Sequence, residues 1–354
     1  EFADTLGAGN ELRGRLMGPR CPSVSTIEIA YAVKATATEP SNILMARVVI
    51  PESLRISHTA GMIILCADDY ALTEGVSRAI GELAAARRLS ATSAMVTSPH
   101  WPAMAPRLLA HRANLAVGLH LDLTLGPSAG PMPRLAPDGR FPGLRGLMAR
   151  AFAGRLHAGE IRAEIERQLD QFERILGFPP DHIDGHEHMH VLPGIRQPLL
   201  DVVSRRYPGT KPLIRDPSDR WQATAARRSS PRVKAAIVGM LALGFAAAAR
   251  RKGLPTNQGF SGFSRFDLAV PYAQELADAM SAPGPCHIVM CHPGHPDAEL
   301  AKLDAVVDRR RMEYDALMAN SGLIGRIWRP SRSSDGAART RCSFATTWRL
   351  RFTA

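Results

Sequence analysis

Short apolar runs rich in strand-forming residues recur through the middle of the chain, at residues 62–67, 91–96, 115–121, 182–184, 211–215, 286–291 and 323–328. Between most of them lie stretches with helical periodicity, at residues 74–88, 101–111, 160–176, 194–206, 232–251, 271–280 and 299–320. Strand then helix, repeated about seven times, predicts parallel strands joined by helical crossovers. With this many units and no dinucleotide glycine signature, the pattern predicts an α/β fold of the irregular, TIM-like (β/α) barrel kind, with about seven parallel strands inside outer helices. The barrel is expected over residues 62–330. Residues 1–61 have weak periodicity and no strong motif, and are expected to form an extension outside it. Residues 331–354, rich in Ser, Arg and Thr, are expected to be a basic, flexible tail.

One stretch is apolar throughout. Residues 235–249 (AAIVGMLALGFAAAA) run for fifteen positions between Lys234 and Arg250. A spanning helix needs about 20 such residues, so no transmembrane span is expected. Its alanines and two glycines suit close helix packing, in a core or at a homodimer interface. The opening residues are polar and lack the charged-then-apolar arrangement of a secretory signal.

Composition adds little to the fold but excludes some functions. The chain is 45% hydrophobic and 22% charged, ordinary for a globular protein with a real core. Its net charge is +11. Residues 1–60 are neutral and residues 331–354 carry +4, so +7 is left for residues 61–330, where it reads as widely spread and without aromatic interleaving. A dedicated nucleic-acid site is not expected. Five cysteines (Cys21, Cys66, Cys286, Cys291 and Cys342) are few, odd in number and mostly within apolar runs. That points to reduced thiols and a cytoplasmic location.

The polar residues carry the chemistry. Residues 182–190 (HIDGHEHMH) place four histidines within nine positions. If the stretch is extended, Asp184, His186, His188 and His190 share one face, a candidate metal or proton-transfer site. Three other polar sets follow apolar strands: Asp68-Asp69, His120, and His292-Pro293-Gly294. Singly, each has an ordinary explanation, as a helix cap, a hydrogen-bonded core histidine and a turn. Together they stand at the C-terminal ends of four different strands, the rim where barrel enzymes build their sites.

The segments ADDYALTEGV (67–76), VGLHLDLT (117–124), HIDGHEHMHVLPG (182–194) and CHPG (291–294) resemble, in order, the motifs of the YdjC-like carbohydrate deacetylases. That family includes chitooligosaccharide deacetylases and deacetylases associated with hopanoid synthesis. The resemblance covers roughly residues 62–328; Tyr70-Ala71 stand where the family usually has Phe-Gly. It implies one divalent metal held by Asp69, His120 and His186, with Mg²⁺ or Zn²⁺ expected and Mn²⁺ or Co²⁺ also compatible. Two imidazoles and a carboxylate leave positions open for water and substrate. Asp68 is then the general base, and His292 the acid that protonates the leaving amine, with His188 as its rival or as an orienting group. Asp184 is expected to support the ligands from behind. Arg215 ends a strand on the same rim and is a candidate to hold a sugar hydroxyl or an anionic group. Phe260, within NQGFSGF (257–263), is a candidate to stack on a sugar ring, with Pro293 and Gly294 framing the site.

The implied reaction is hydrolysis of the N-acetyl group of an amino sugar, acetylated oligosaccharide or glycoconjugate, giving acetate and a free amine. Iron oxygenases also use two histidines and a carboxylate, but usually on a β-helix with a close His-x-Asp pair. Amidohydrolase-type metal enzymes carry His-x-His on the first strand, whereas here it falls on a later one. A non-enzymatic carbohydrate-binding module leaves the free aspartate beside a metal ligand unexplained.

Overall fold

The computed structural model describes residues 61–304 and 307–330, and the backbone of two strands nearer the N-terminus. The chain divides into two units, Glu1–Thr59 and Ala60–Ala354. In the first, β1 (Ile27–Tyr31) pairs antiparallel with β2 (Leu44–Val48). The predicted tail, 331–354, and Cys21 and Cys342 lie outside the described residues.

The second unit is a parallel sheet of seven strands in the order β7-β6-β5-β4-β3-β9-β8. They are β3 (Met62–Tyr70), β4 (Ala91–Ala94), β5 (Ala116–Leu121), β6 (His182–Gly185), β7 (Leu213–Ile214), β8 (Phe260–Ser261) and β9 (Cys286–Cys291). Strands buried on both faces read as continuous apolar runs, and β3, β5 and β9 do. Ile214 N–H donates to the Pro255 carbonyl (2.8 Å), while Phe260 pairs with Ile288 of β9. The segment between them therefore reaches from one edge of the curled sheet to the other, as a barrel requires.

The helices pack outside for the reasons their sequences give. α1 (Glu74–Ala85) starts where the Thr73 hydroxyl accepts from the Val76 N–H, and buries Val76, Ala79, Ile80 and Leu83. α4 (Ala158–Leu176) buries Ile161, Ile165, Leu169, Phe172 and Leu176, and ends on Gly177 at φ 76°. α2 (Trp101–Leu109), α5 (Arg196–Arg206) and α9 (Tyr272–Ala279) fall where the periodicity puts them.

Elsewhere the structure departs from the pattern. Residues 323–328 are not a strand: α12 (Ser321–Ile324) is followed by a single bridge from Ile327 to Ile63. β4 starts opposite Cys66, so the edge of β3 at Ile63 is left open for that bridge. The seventh strand is instead β8, two residues between Gly259 and Gly262, both at positive φ. Residues 232–251 form two helices, α7 (Arg232–Leu241) and α8 (Phe245–Arg251), parted by Gly244 at φ 76°. Residues 299–320 likewise hold α10 (Leu300–Leu303) and α11 (Val307–Ala319). α3 (Gly143–Phe152) and α6 (Trp221–Ala226) had no counterpart in the periodicity.

Candidate metal centre and active site

Alternation along the strands decides which side chains enter the barrel. On β3 the inward series is Ile64, Cys66 and Asp68; on β9 it is Ile288, Met290 and His292. On β5 it reaches His120, and on β6 it is His182 and Asp184. Gly118 makes room for this layer, because a Cβ there would lie 2.4 Å from the His182 ring. Each series ends in a titratable group at the same rim.

Asp68 and Asp69 would face opposite ways on a regular strand. The ladder between β3 and β4 shifts register between Ala67 and Tyr70, and Asp69 sits at φ 66°, Ala71 at φ 71°. A bulge re-aims side chains, and left-handed backbone at non-glycine residues stores strain typical of functional sites. Both carboxylates are thereby delivered to one place.

Asp69 Oδ1, His120 Nε2 and His186 Nδ1 form a compact triangle with edges of 3.2, 3.1 and 3.4 Å. Atoms about 2.1 Å from one ion stand about 3.0 Å apart at octahedral angles and about 3.4 Å apart at tetrahedral ones. The donor set fits a divalent metal. Behind it, Asp184 Oδ1 accepts from His120 Nδ1 at 2.6 Å, which leaves Nε2 for coordination. Arg310, on α11, holds the other oxygen of Asp69 at 2.7 Å. Burial works against ionisation of Asp69, but Arg310 and the two histidines overcome it and hold the carboxyl well below its usual range. Burial also disfavours a charged His120, yet Asp184 and Asp69 push the ring up to about 10. The pocket is thus built to hold positive charge.

Asp68 lies beside this triangle, gripped by Arg215 through both oxygens at 2.6 and 2.7 Å, with the Ser93 hydroxyl donating at 3.2 Å. Arg215 also reaches Asp184 at 2.5 Å and is 0% exposed. It holds two acids in register, and the expectation that it contacts substrate is corrected. Two further groupings, Cys66 with His182 and Asp184, and Asp68 with His120 and Asp184, adjoin this same guanidinium, which already supplies a cation to Asp68 and Asp184.

The histidine cluster does not stay extended. β6 ends at Gly185, and residues 186–191 turn, with Glu187 at φ 54° and His188 at φ 58°. His186 goes to the triangle and His188 to the cavity wall, against Phe260 and Phe263. His190 is buried on the Arg215 carbonyl at 2.9 Å and packs on Phe245. Asp184, His186, His188 and His190 therefore serve four different ends. Phe260 is 1% exposed and lies under His188, away from the cavity, so its stacking role is also corrected. Pro293 and Gly294 are buried too, and the Gly294 N–H donates to the Arg310 carbonyl at 3.0 Å. They seat α11 and do not line the cavity.

That cavity, about 760 Å³, has Asp68, Asp69, His120, His186 and His292 at its polar end. Its walls are apolar, among them Leu125, Met148, Ile237 and Phe266. Burial pushes the His292 ring down to about 4, while the His292 backbone N–H donates to the Glu313 carboxylate at 2.5 Å. Burial likewise raises the Glu313 carboxyl to about 7. Ser93, Arg310 and Glu313 escaped the sequence reading. The run Arg309-Arg310-Arg311 reads as a solvated helix face, although Arg309 and Arg310 are buried.

The structure is thus a parallel barrel with a two-histidine, one-carboxylate pocket that could hold a metal ion, and a second aspartate beside it. The family model for YdjC-like protein matches residues 62–321, and the chain belongs to that family. It is 30% identical to a carbohydrate deacetylase of Mus musculus over 247 residues, 66% of this chain and 78% of that protein. It is 35% identical to a chitooligosaccharide deacetylase of Serratia marcescens over 147 residues, 41% of this chain and 56% of that one. The bacterial match thus spans about half of its relative's length. Among solved structures, a putative cellobiose-phosphate cleavage protein from Enterococcus faecalis superposes with a TM-score of 0.56 at 21% identity, covering 76% of this chain and 94% of that one. That likeness concerns the fold.

Proposed function

We propose that the protein hydrolyses the N-acetyl group of an amino sugar, acetylated oligosaccharide or glycoconjugate, releasing acetate and a free amine. The class, a hydrolase of an amide bond, follows from its named relatives. The observation that carries the reading is the triangle of Asp69, His120 and His186 with unliganded Asp68 beside it.

Asp69, His120 and His186 would hold a divalent metal, which supplies polarisation of the acetyl carbonyl and a water nucleophile at neutral pH. Asp68, fixed by the Arg215 fork, takes the proton of the attacking water. A coordinated carboxylate is a poor base, so the doublet divides the work between neighbours. His292 delivers a proton to the departing amine. Its ring is neutral at pH 7, so it must first take up the proton it gives. His188, packed against Phe260 and Phe263, shapes the cavity wall.

The test is acetate release from a panel of N-acetylated mono- and oligosaccharides, with metal-depleted protein and added Mg²⁺, Zn²⁺, Mn²⁺ or Co²⁺. Release that stops on chelation and returns with metal is expected. No acetate from any substrate with any metal refutes the reading.

A further inference from the structure

The positive charge of the barrel unit proves concentrated, not spread. Residues 220–252 hold eight Arg or Lys and no acid, against a net +7 for all of residues 61–330. Asp219, just before them, pairs with buried Arg227 at 2.8 Å, and Lys252 pairs with Asp201 at 2.7 Å. Arg220, Arg228, Arg232, Arg250 and Arg251 are exposed.

Apolar side chains are exposed on the same segment. Val233, Ile237 and Met240 fall at the spacing of one helix face on α7, and Leu243 follows. Val233 is 74% exposed, Met240 69% and Leu243 80%, with Trp221 of α6 at 63%. Trp221, Met240 and Leu243 line a second surface depression of about 540 Å³ with Arg250. By composition residues 232–251 could cross a membrane, with mean hydropathy 1.6. The turn at Gly244 breaks them, and Val238, Ala242, Phe245 and Ala249 are buried in the protein. The segment is held along the surface, apolar side out. Val233, Ile237 and Leu241 also border the catalytic cavity.

We infer that α7 and its basic flanks are a docking face for an anionic phospholipid bilayer, placing the mouth of the catalytic cavity at the membrane surface. Exposed apolar side chains and an interfacial aromatic, flanked along the chain by exposed arginines, are what lets a helix lie in a headgroup layer. A second copy of the chain fits less well. A two-fold contact would set this face against itself, with cations on both sides and no acid in the segment to meet them. The inference does not depend on the deacetylase reading.

The test is co-sedimentation of the full chain with vesicles of phosphatidylcholine alone, and with a third phosphatidylglycerol, at low and high salt. Two variants are compared, Met240→Asp/Leu243→Asp and Arg228→Glu/Arg232→Glu, with sedimentation velocity run in parallel. The wild type is expected to bind the anionic vesicles, to leave them as salt rises, and to lose about tenfold or more in partitioning in either variant. Absence of binding to anionic vesicles, or variants that bind like the wild type, overturns the inference. So does a wild-type dimer that Met240→Asp/Leu243→Asp converts to monomer while no vesicle binding is seen.

Discussion

Arg215 offers the sharpest separation between a scaffold role and a substrate role. Its guanidinium is fully buried and spans two buried carboxylates, Asp68 and Asp184. Arg215→Met keeps most of the stem and deletes the cation, leaving both acids without it. Breaking a buried ion pair from one side costs about 3–5 kcal/mol. For a domain of this size that is a fall of about 6–20 °C in Tm. Burial works against ionisation of Asp184, and Arg215 and His120 overcome it, so its carboxyl is held well below the usual range. A depressed carboxylate contributes stability above its unfolded pKa of about 3.9, and that stability is lost as pH falls through the folded value. The gap between wild type and variant should therefore narrow below about pH 4. Thermal unfolding by circular dichroism across pH measures it. In kinetics, kcat should fall because Asp68 loses its fork, with KM little changed. Arg215→Lys should recover only part, since a point charge cannot hold both acids as a fork does. A Tm drop of under about 2 °C together with a raised KM and intact kcat refutes the reasoning and returns Arg215 to the substrate.

Asp68→Asn should lower kcat by about 10²- to 10⁴-fold while bound metal, measured by elemental analysis, stays at wild-type stoichiometry; parallel loss of metal would make Asp68 a ligand. Asp184→Asn replaces the anionic acceptor of His120 Nδ1 with a neutral amide and should weaken metal affinity about 10- to 100-fold in a competition titration. Glu313, raised from 4.5 to about 7 by burial, contributes stability that is full below pH 4.5 and lost as pH rises through 7. Wild-type Tm should decline across that window, and Glu313→Gln should remove the decline; identical profiles would show that the group does not titrate there.

Much of this protein was legible one residue at a time. Apolar runs between helical periods are local signals, and six of the seven predicted strands are present because a strand buried on both faces must be written in apolar residues. The rim was legible too, since a polar group at the end of such a strand has few other places to be. β8, two residues between glycines, is too short to show a period of its own, and the apolar run at residues 323–328 forms no strand.

The sequence by itself determined the barrel, the rim, and the identity of Asp68, Asp69, His120, His186 and His292 as the groups gathered there. It did not determine where each one points. The bulge at Asp69 and the turn after Gly185 separate neighbours that strand alternation would have paired. Only tertiary structure placed Arg215 beside Asp68, Arg310 on Asp69, and Phe260 in the buried layer against His188. The reason is physical: burial and charge pairing join residues as much as 241 positions apart, and no local pattern records which cation will be enclosed with which acid.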